Sequence, residues 1–242
     1  MILEAKGVTK SFGNIQALLD VSFEVERGVV YGIAGPNGAG KSTLFNVISG
    51  AYPPSAGNVV YEGNDITRLR PHQICRHGLA RSFQVPKTFP SMTVYDNIRV
   101  GATFGHHRKQ KDIAKTIESS MEFFNLEAYR DKLAANLDLY VTKLLGLAMI
   151  QATDCNLLML DEPLAGLAIN EVEALLEVFS KINREKEVTL LIIEHILDVL
   201  IELSDHMLIL DNGSVIYTGS PEGIREDAKV IECYLGKEKG KK

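Results

Sequence analysis

Three features of this sequence predict an α/β phosphate-loop fold: a mixed sheet core, an N-terminal antiparallel β subdomain and an inserted helical subdomain. The first is Gly-Pro-Asn-Gly-Ala-Gly-Lys-Ser-Thr at 35–43, which directly follows the apolar run 29–34 and reads as a glycine-rich loop leaving a buried strand. The second is the pair of short apolar runs at 157–160 and 189–193, separated by the amphipathic stretch 171–184. Strand, helix, strand in that order is what a parallel sheet covered on both faces demands. The third is the loss of strand signal between 85 and 153, where apolar residues recur three and four positions apart.

Taken in chain order, the segments 2–8 and 19–25 alternate apolar and polar residues between Gly, Asn and Asp, and they predict two strands of an antiparallel sheet. The run 29–34 is a buried strand, and a helix begins near Lys41. Pro53, Pro54 and Gly57 mark a turn before strand-like stretches at 58–62 and 79–83. Helices follow at 94–104, 113–125 and 141–152, placing the helical insertion at 85–153 within a single domain spanning 1–242. Near the end, runs at 207–210 and 215–218 bracket Asp211-Asn212-Gly213, the signal of a tight hairpin. There is no internal repeat, heptad run or low-complexity linker.

The loop at 35–43 has a physical reading residue by residue. Gly35, Gly38 and Gly40 permit backbone turns that a Cβ obstructs, so that successive N–H groups, with those of Asn37, Ala39 and Thr43, form a nest for an anion. The positive end of the following helix points at the same place. Lys41 reaches the β and γ phosphates of a nucleotide, and Ser42 is the expected Mg²⁺ ligand. The motif implies a nucleoside triphosphatase.

Downstream, 157–160 ends in Asp161-Glu162, so two carboxylates leave a buried strand at its carboxyl end, where ligands bind in open α/β sheets. Asp161 is the expected metal partner and Glu162 the base that orients and deprotonates water. His195 follows the run 189–193 by the same logic and is a candidate sensor of the γ-phosphate. Gln84, where a strand passes into the helical region, offers an amide to metal or water, and Phe12 is available to stack on an adenine ring.

The bulk numbers constrain partners. A chain of 242 residues, 45% hydrophobic and 24% charged, can bury a proper core, and its formal charge of −5 argues against a sequence-independent hold on nucleic acid. Three widely spaced cysteines, Cys75, Cys155 and Cys233, suit a reducing compartment better than a disulfide framework. His72, Cys75 and His77 lie close together, but no second ligand cluster completes a closed metal site with them. His106 and His107 read as a solvated loop, and Lys237 to Lys242 as a solvated end. No signal-peptide pattern opens the sequence, and its apolar runs, such as 144–150, fall far below the roughly 20 residues needed to span a bilayer. The expected place is the cytosol, with any membrane attachment supplied by other chains.

Phe12, the loop at 35–43, Gln84, Asp161-Glu162 and His195 occur in the order and at the spacings of the ATP-binding cassette (ABC) family, and the resemblance covers nearly the whole chain. Ala-Arg-Ser-Phe-Gln at 80–84, Met-Thr-Val-Tyr-Asp-Asn-Ile at 92–98, Ala-Gly-Leu at 165–167, Ile-Glu-His at 193–195 and the tail 230–236 resemble the ATPase subunits of branched-chain amino acid importers. The resemblance implies an ABC ATPase fold that binds ATP and Mg²⁺ and energises import of branched-chain or other hydrophobic amino acids. It implies a location on the cytoplasmic side of the cell membrane, peripheral to transmembrane permease subunits. A second ABC ATPase subunit and an extracellular solute-binding protein complete the system, with contact to the permease near 85–100. Urea, amide or lipopolysaccharide transport, or a soluble regulatory ATPase, are the alternatives. Two departures from the family stand out. Its Leu-Ser-Gly-Gly-Gln signature, which grips the γ-phosphate bound on the partner subunit, is replaced by Leu137-Asp138-Leu139-Tyr140-Val141, and Ala168 stands where Asp or Asn is usual. An acid and bulky side chains hinder that grip, which points to an asymmetric heterodimer.

Overall fold

The computed structural model describes residues 1–105 and 113–235; His106, His107 and the tail Lys237 to Lys242 lie outside them. In chain order the elements are β1 (Leu3–Phe12), β2 (Ile15–Val25), β3 (Val30–Ala34), α1 (Lys41–Ile48), β4 (Ala56–Tyr61), β5 (Asn64–Asp65), α2 (Pro71–Arg76), β6 (Leu79–Arg81) and α3 (Val94–Phe104). They continue with α4 (Ile113–Phe123), α5 (Leu139–Gln151), β7 (Leu157–Asp161), α6 (Ile169–Lys186), β8 (Thr189–Ile193), α7 (Leu197–Leu203), β9 (His206–Asp211), β10 (Ser214–Gly219) and α8 (Ala228–Leu235). The chain forms two compact units: Met1–Arg70 with Thr189–Lys242, and Pro71–Val188.

The first unit holds two sheets. In the antiparallel one, ordered β2-β1-β4-β5, Leu3 of β1 faces Val25 of β2 on one side and Tyr61 of β4 on the other. Alternation carries it: Leu3, Ala5 and Val8, with Val21, Phe23 and Val25 opposite, are buried between half-buried or exposed neighbours. The second sheet carries β10-β9-β3-β8. Here β3 lies between parallel partners, Ile33 opposite Ile193 of β8 and Leu208 of β9. All five residues of β3 are buried, which is why its sequence is a continuous apolar run rather than an alternating one. β9 and β10 are joined through Asn212 and Gly213, both left-handed at φ 45° and 79°, the backbone a two-residue hairpin loop requires.

In the second unit β6 and β7 pair in parallel, Arg81 opposite Met159. α3 packs on α4 and α5 through Val94, Ile98 and Ala102, which recur on one face. Thr93 caps α3, accepting the Asp96 N–H at 3.1 Å while its hydroxyl donates to the Asp96 carboxylate at 2.9 Å. The helix expected at 94–104 has those bounds. Its neighbours differ at their ends for local reasons. Asn125, left-handed at φ 53°, lies just beyond the last turn of α4. Asp138 starts α5 two residues ahead of the apolar pattern. Between β6 and α3 the chain is irregular rather than helical. There Asn97, fully buried, bonds the backbone of Phe89, Met92 and Thr93 through its side-chain amide. The three cysteines are free thiols, and burial pushes that of Cys155 up to about 12.

Candidate active site

Phe12, the phosphate loop and His195 belong to the first unit; Gln84, Asp161 and Glu162 belong to the second. In the first unit β3 delivers the chain into the loop, where Gly35, Gly38 and Gly40 take φ values of 146°, 83° and 104°. A Cβ on Gly35 would lie 2.1 Å from the Leu210 carbonyl oxygen, so neither the conformation nor the space admits a side chain. The hairpin turn supports the loop from behind, Gly213 N–H donating to the Ala39 carbonyl at 3.0 Å.

Lys41, 5% exposed, donates its ammonium to the carbonyls of Gly35 at 2.7 Å and Pro36 at 3.0 Å, curling over its own loop. Ser42 is exposed in the first turn of α1. That helix starts at Gly40 without a side-chain cap and without an acid in its first turn, so its positive end is not neutralised from within the helix. A phosphate-bearing ligand fits this donor set.

Phe12, at the end of β1, is exposed and meets the edge of Tyr52 at a centroid distance of 5.5 Å. The Lys10 ammonium lies 4.9 Å from the Phe12 ring. His195 is exposed two residues beyond β8, and its N–H donates to the buried Glu194 carboxylate at 3.2 Å. Because β3 and β8 run parallel in register, His195 leaves the same edge of this sheet as the phosphate loop. Tyr234 of α8 also approaches the loop; burial pushes its phenol up to about 12, against the opposing effect of the Gly35 backbone.

In the second unit all five residues of β7 are buried, ending at Asp161. Arg81, last residue of β6, donates to the Asp161 carboxylate at 2.7 Å, and both side chains are about 10% exposed, at 10% and 11%. The Asp161 N–H donates to the Ser82 hydroxyl at 3.2 Å. Glu162 follows in the left-handed region at φ 48°, a conformation that costs a non-glycine residue on the order of 1–3 kcal/mol and tends to occur at functional sites. Its carboxylate accepts from the Gln84 amide at 2.7 Å. The structure therefore brings Gln84 onto the acid expected to handle water. Next in the chain, the Pro163 carbonyl accepts from the buried Lys143 ammonium at 2.6 Å.

The two departures from the family pattern also lie in this unit. Asp138 is the N-cap of α5, its carboxylate accepting the Val141 N–H at 2.8 Å. Ala168 stands at the N-cap of α6, where Glu171 accepts its N–H at 2.8 Å. Sequence reasoning missed Arg81, Lys143, Tyr52 and Tyr234. Only Lys143 carried a signal: it shares the face of Leu147 and Ile150 at helical spacing, so a charge falls on a stripe that the pattern marks as buried.

A glycine-rich loop between a buried strand and a helix, with an acidic pair ending a second buried strand, defines the class: a phosphate-loop nucleoside triphosphatase. The family described as ABC transporter matches residues 18–165. The chain is 36% identical to the probable branched-chain amino acid transport ATP-binding protein LivG of Archaeoglobus fulgidus, covering 97% of this chain and 95% of that one. It is 34% identical to the high-affinity branched-chain amino acid transport ATP-binding protein BraF of Pseudomonas aeruginosa, covering 97% and 98%. Its fold matches the crystal structure of the ADP conformation of an ATP-binding cassette of an ABC transporter, with a TM-score of 0.87, 32% identity and coverage of 97% and 98%. This chain belongs to the ABC transporter family, as an ATP-binding and ATP-hydrolysing subunit.

Proposed function

We propose that this chain energises import of branched-chain amino acids, hydrolysing ATP with Mg²⁺ while attached to transmembrane permease subunits at the cytoplasmic side of the membrane. The observation that carries the ATPase reading is the phosphate loop, whose helix offers uncapped amides and an exposed Ser42 to an anion. Cargo is inferred from the relatives, whose names specify branched-chain amino acid transport and favour it over urea, amide, lipopolysaccharide or soluble regulatory systems. No described helix is long and apolar enough to cross a membrane.

ATP supplies the γ-phosphoryl group, and Mg²⁺, when bound, would offset its charge. Lys41 exchanges its two loop carbonyls for phosphate oxygens, and the amides of 38–43 hold the phosphates. Ser42 and, by resemblance to the family, Asp161 are the residues that would hold the metal, with Gln84 as a further candidate contact to metal or water. Glu162 takes the proton of the attacking water on its carboxylate, oriented by Gln84. Phe12 carries the base on its exposed ring, and His195 senses the γ-phosphate. Phe83, Val85, Phe89 and Met92, all exposed and apolar, support 85–100 as the contact with the permease. A second ABC ATPase chain completes a heterodimer, and an extracellular solute-binding protein delivers the cargo.

Lys41→Ala tests the reading at its base. Binding of a fluorescent ATP analogue should fall at least about tenfold, since a charged donor to phosphate is lost, and cells carrying it should lose uptake of labelled leucine, isoleucine and valine. Unchanged nucleotide affinity would sink the phosphate-loop assignment; unchanged uptake with lost affinity would sink the cargo.

A further inference from the structure

Resting on that reading of Glu162 as the base, we propose that Lys143 is a positioning residue for hydrolysis, tying helix α5 to the turn that carries Glu162. Lys143 is 6% exposed, and an ammonium withdrawn from water is costly unless a strong acceptor meets it. The Pro163 carbonyl is such an acceptor at 2.6 Å, a charge-assisted bond within the second unit.

The placement of that bond is informative. Proline has no N–H, so its carbonyl is the only hydrogen-bonding backbone group Pro163 possesses. Immediately before it, Glu162 is held left-handed at φ 48°, a conformation that persists only where surrounding contacts over-determine it. Contacts on both sides bracket this strained residue: the Gln84 amide at 2.7 Å on its side chain, the Ala165 N–H on its carbonyl at 3.3 Å, and the Lys143 ammonium one peptide further on. Release of the Lys143 contact lets the turn relax and swings the Glu162 carboxylate.

Lys143, Pro163, Arg81 and Phe83 also line a cavity of about 130 Å³, with Gly146 on the turn of α5 beyond Lys143. α5 begins at Asp138, in the segment that replaces the family signature. A shift of α5, or filling of the cavity, therefore reaches the turn that carries the base through the Lys143–Pro163 bond. Binding energy spent elsewhere on the chain can in this way be felt at the attacking water.

The test measures ATP hydrolysis by the assembly purified through a tag on this chain, with ADP affinity measured on the purified full-length chain. Lys143→Met keeps the apolar stem and loses the charge. It should lower kcat by about 10- to 100-fold, the scale of a displaced catalytic group, while KM for ATP and Kd for ADP stay within about threefold. Lys143→Arg, which restores a charged donor, should recover most of the loss. Lys143→Gln serves as a second variant should the methionine protein not fold. A kcat near that of wild type in either folded variant overturns the proposal, as does a loss of ADP affinity equal to the loss of rate. Glu162→Gln in the same assembly tests the underlying reading. If it hydrolyses ATP like wild type, the base assignment fails and Lys143 with it; if it is inactive while Lys143→Met is fast, only Lys143 is overturned.

Discussion

At the scale of single residues, the pair Arg81 and Asp161 shows how the acid expected to hold a metal is given a partner where little water reaches it. Both side chains are nearly buried, and their contact at 2.7 Å offsets the desolvation each would suffer alone. Removing one partner leaves the other as an uncompensated buried charge. Arg81→Met should therefore destabilise the protein by about 3–5 kcal/mol, read as a shift of the urea midpoint at unchanged slope. Arg81→Met combined with Asp161→Leu should recover much of that loss, because an apolar pair of similar volume carries no charge to strand. A single mutant as stable as wild type would show that the pair contributes nothing. The contact was not legible in the sequence, since its partners are 80 residues apart and nothing local to Arg81 marks it. Asp161, Glu162, Lys41 and Ser42 were legible because their chemistry is written in short motifs beside apolar strands.

At the scale of elements, two helices that begin near phosphate chemistry in this family are capped in opposite ways. α1 starts at a glycine with no side-chain cap, leaving its amides for a ligand, whereas α5 starts at Asp138, whose carboxylate already occupies the Val141 amide. Asp138→Ala should cost about 1 kcal/mol of stability, the usual worth of an N-cap, and Asp138→Ser should cost little because serine caps equally well. Thermal unfolding of the two variants distinguishes them, and equal Tm values would remove the cap from the account. The cap also explains why the apolar pattern set the start of α5 two residues late: a periodic stripe reports the buried face of a helix, and the capping turn lies outside it. β3, β8, α3 and the β9–β10 hairpin were legible because run, period and turn chemistry agree there. The irregular stretch ahead of α3 was not, since Asn97 organises it by bonding backbone groups that periodicity does not register.

At the scale of the whole molecule, the altered segment Leu137 to Val141 decides what this chain offers a partner. Its family counterpart presents amides and a serine to a γ-phosphate. Here the capping carboxylate of Asp138, an acid where the family has serine, fills the Val141 amide, and Leu139 is exposed with its side chain against Gly166. A negative charge a few ångströms from a phosphate is repulsive at any plausible dielectric. Lys41, Ser42, Asp161 and Glu162 show no such alteration, and the heterodimer proposed above predicts that the deficit falls on the partner's nucleotide rather than on this chain's own. Hydrolysis by the purified chain alone should accordingly stay near background and rise at least about tenfold, a coupling of roughly 1.4 kcal/mol, when an ABC ATPase chain with an intact Leu-Ser-Gly-Gly-Gln segment is added. The triple substitution Asp138→Ser, Leu139→Gly and Tyr140→Gly, which reinstates the serine and both glycines of the family segment, should give the chain activity without a partner. Robust turnover by the unmodified chain alone would mean that two of these altered segments suffice, and the heterodimer would have to be abandoned.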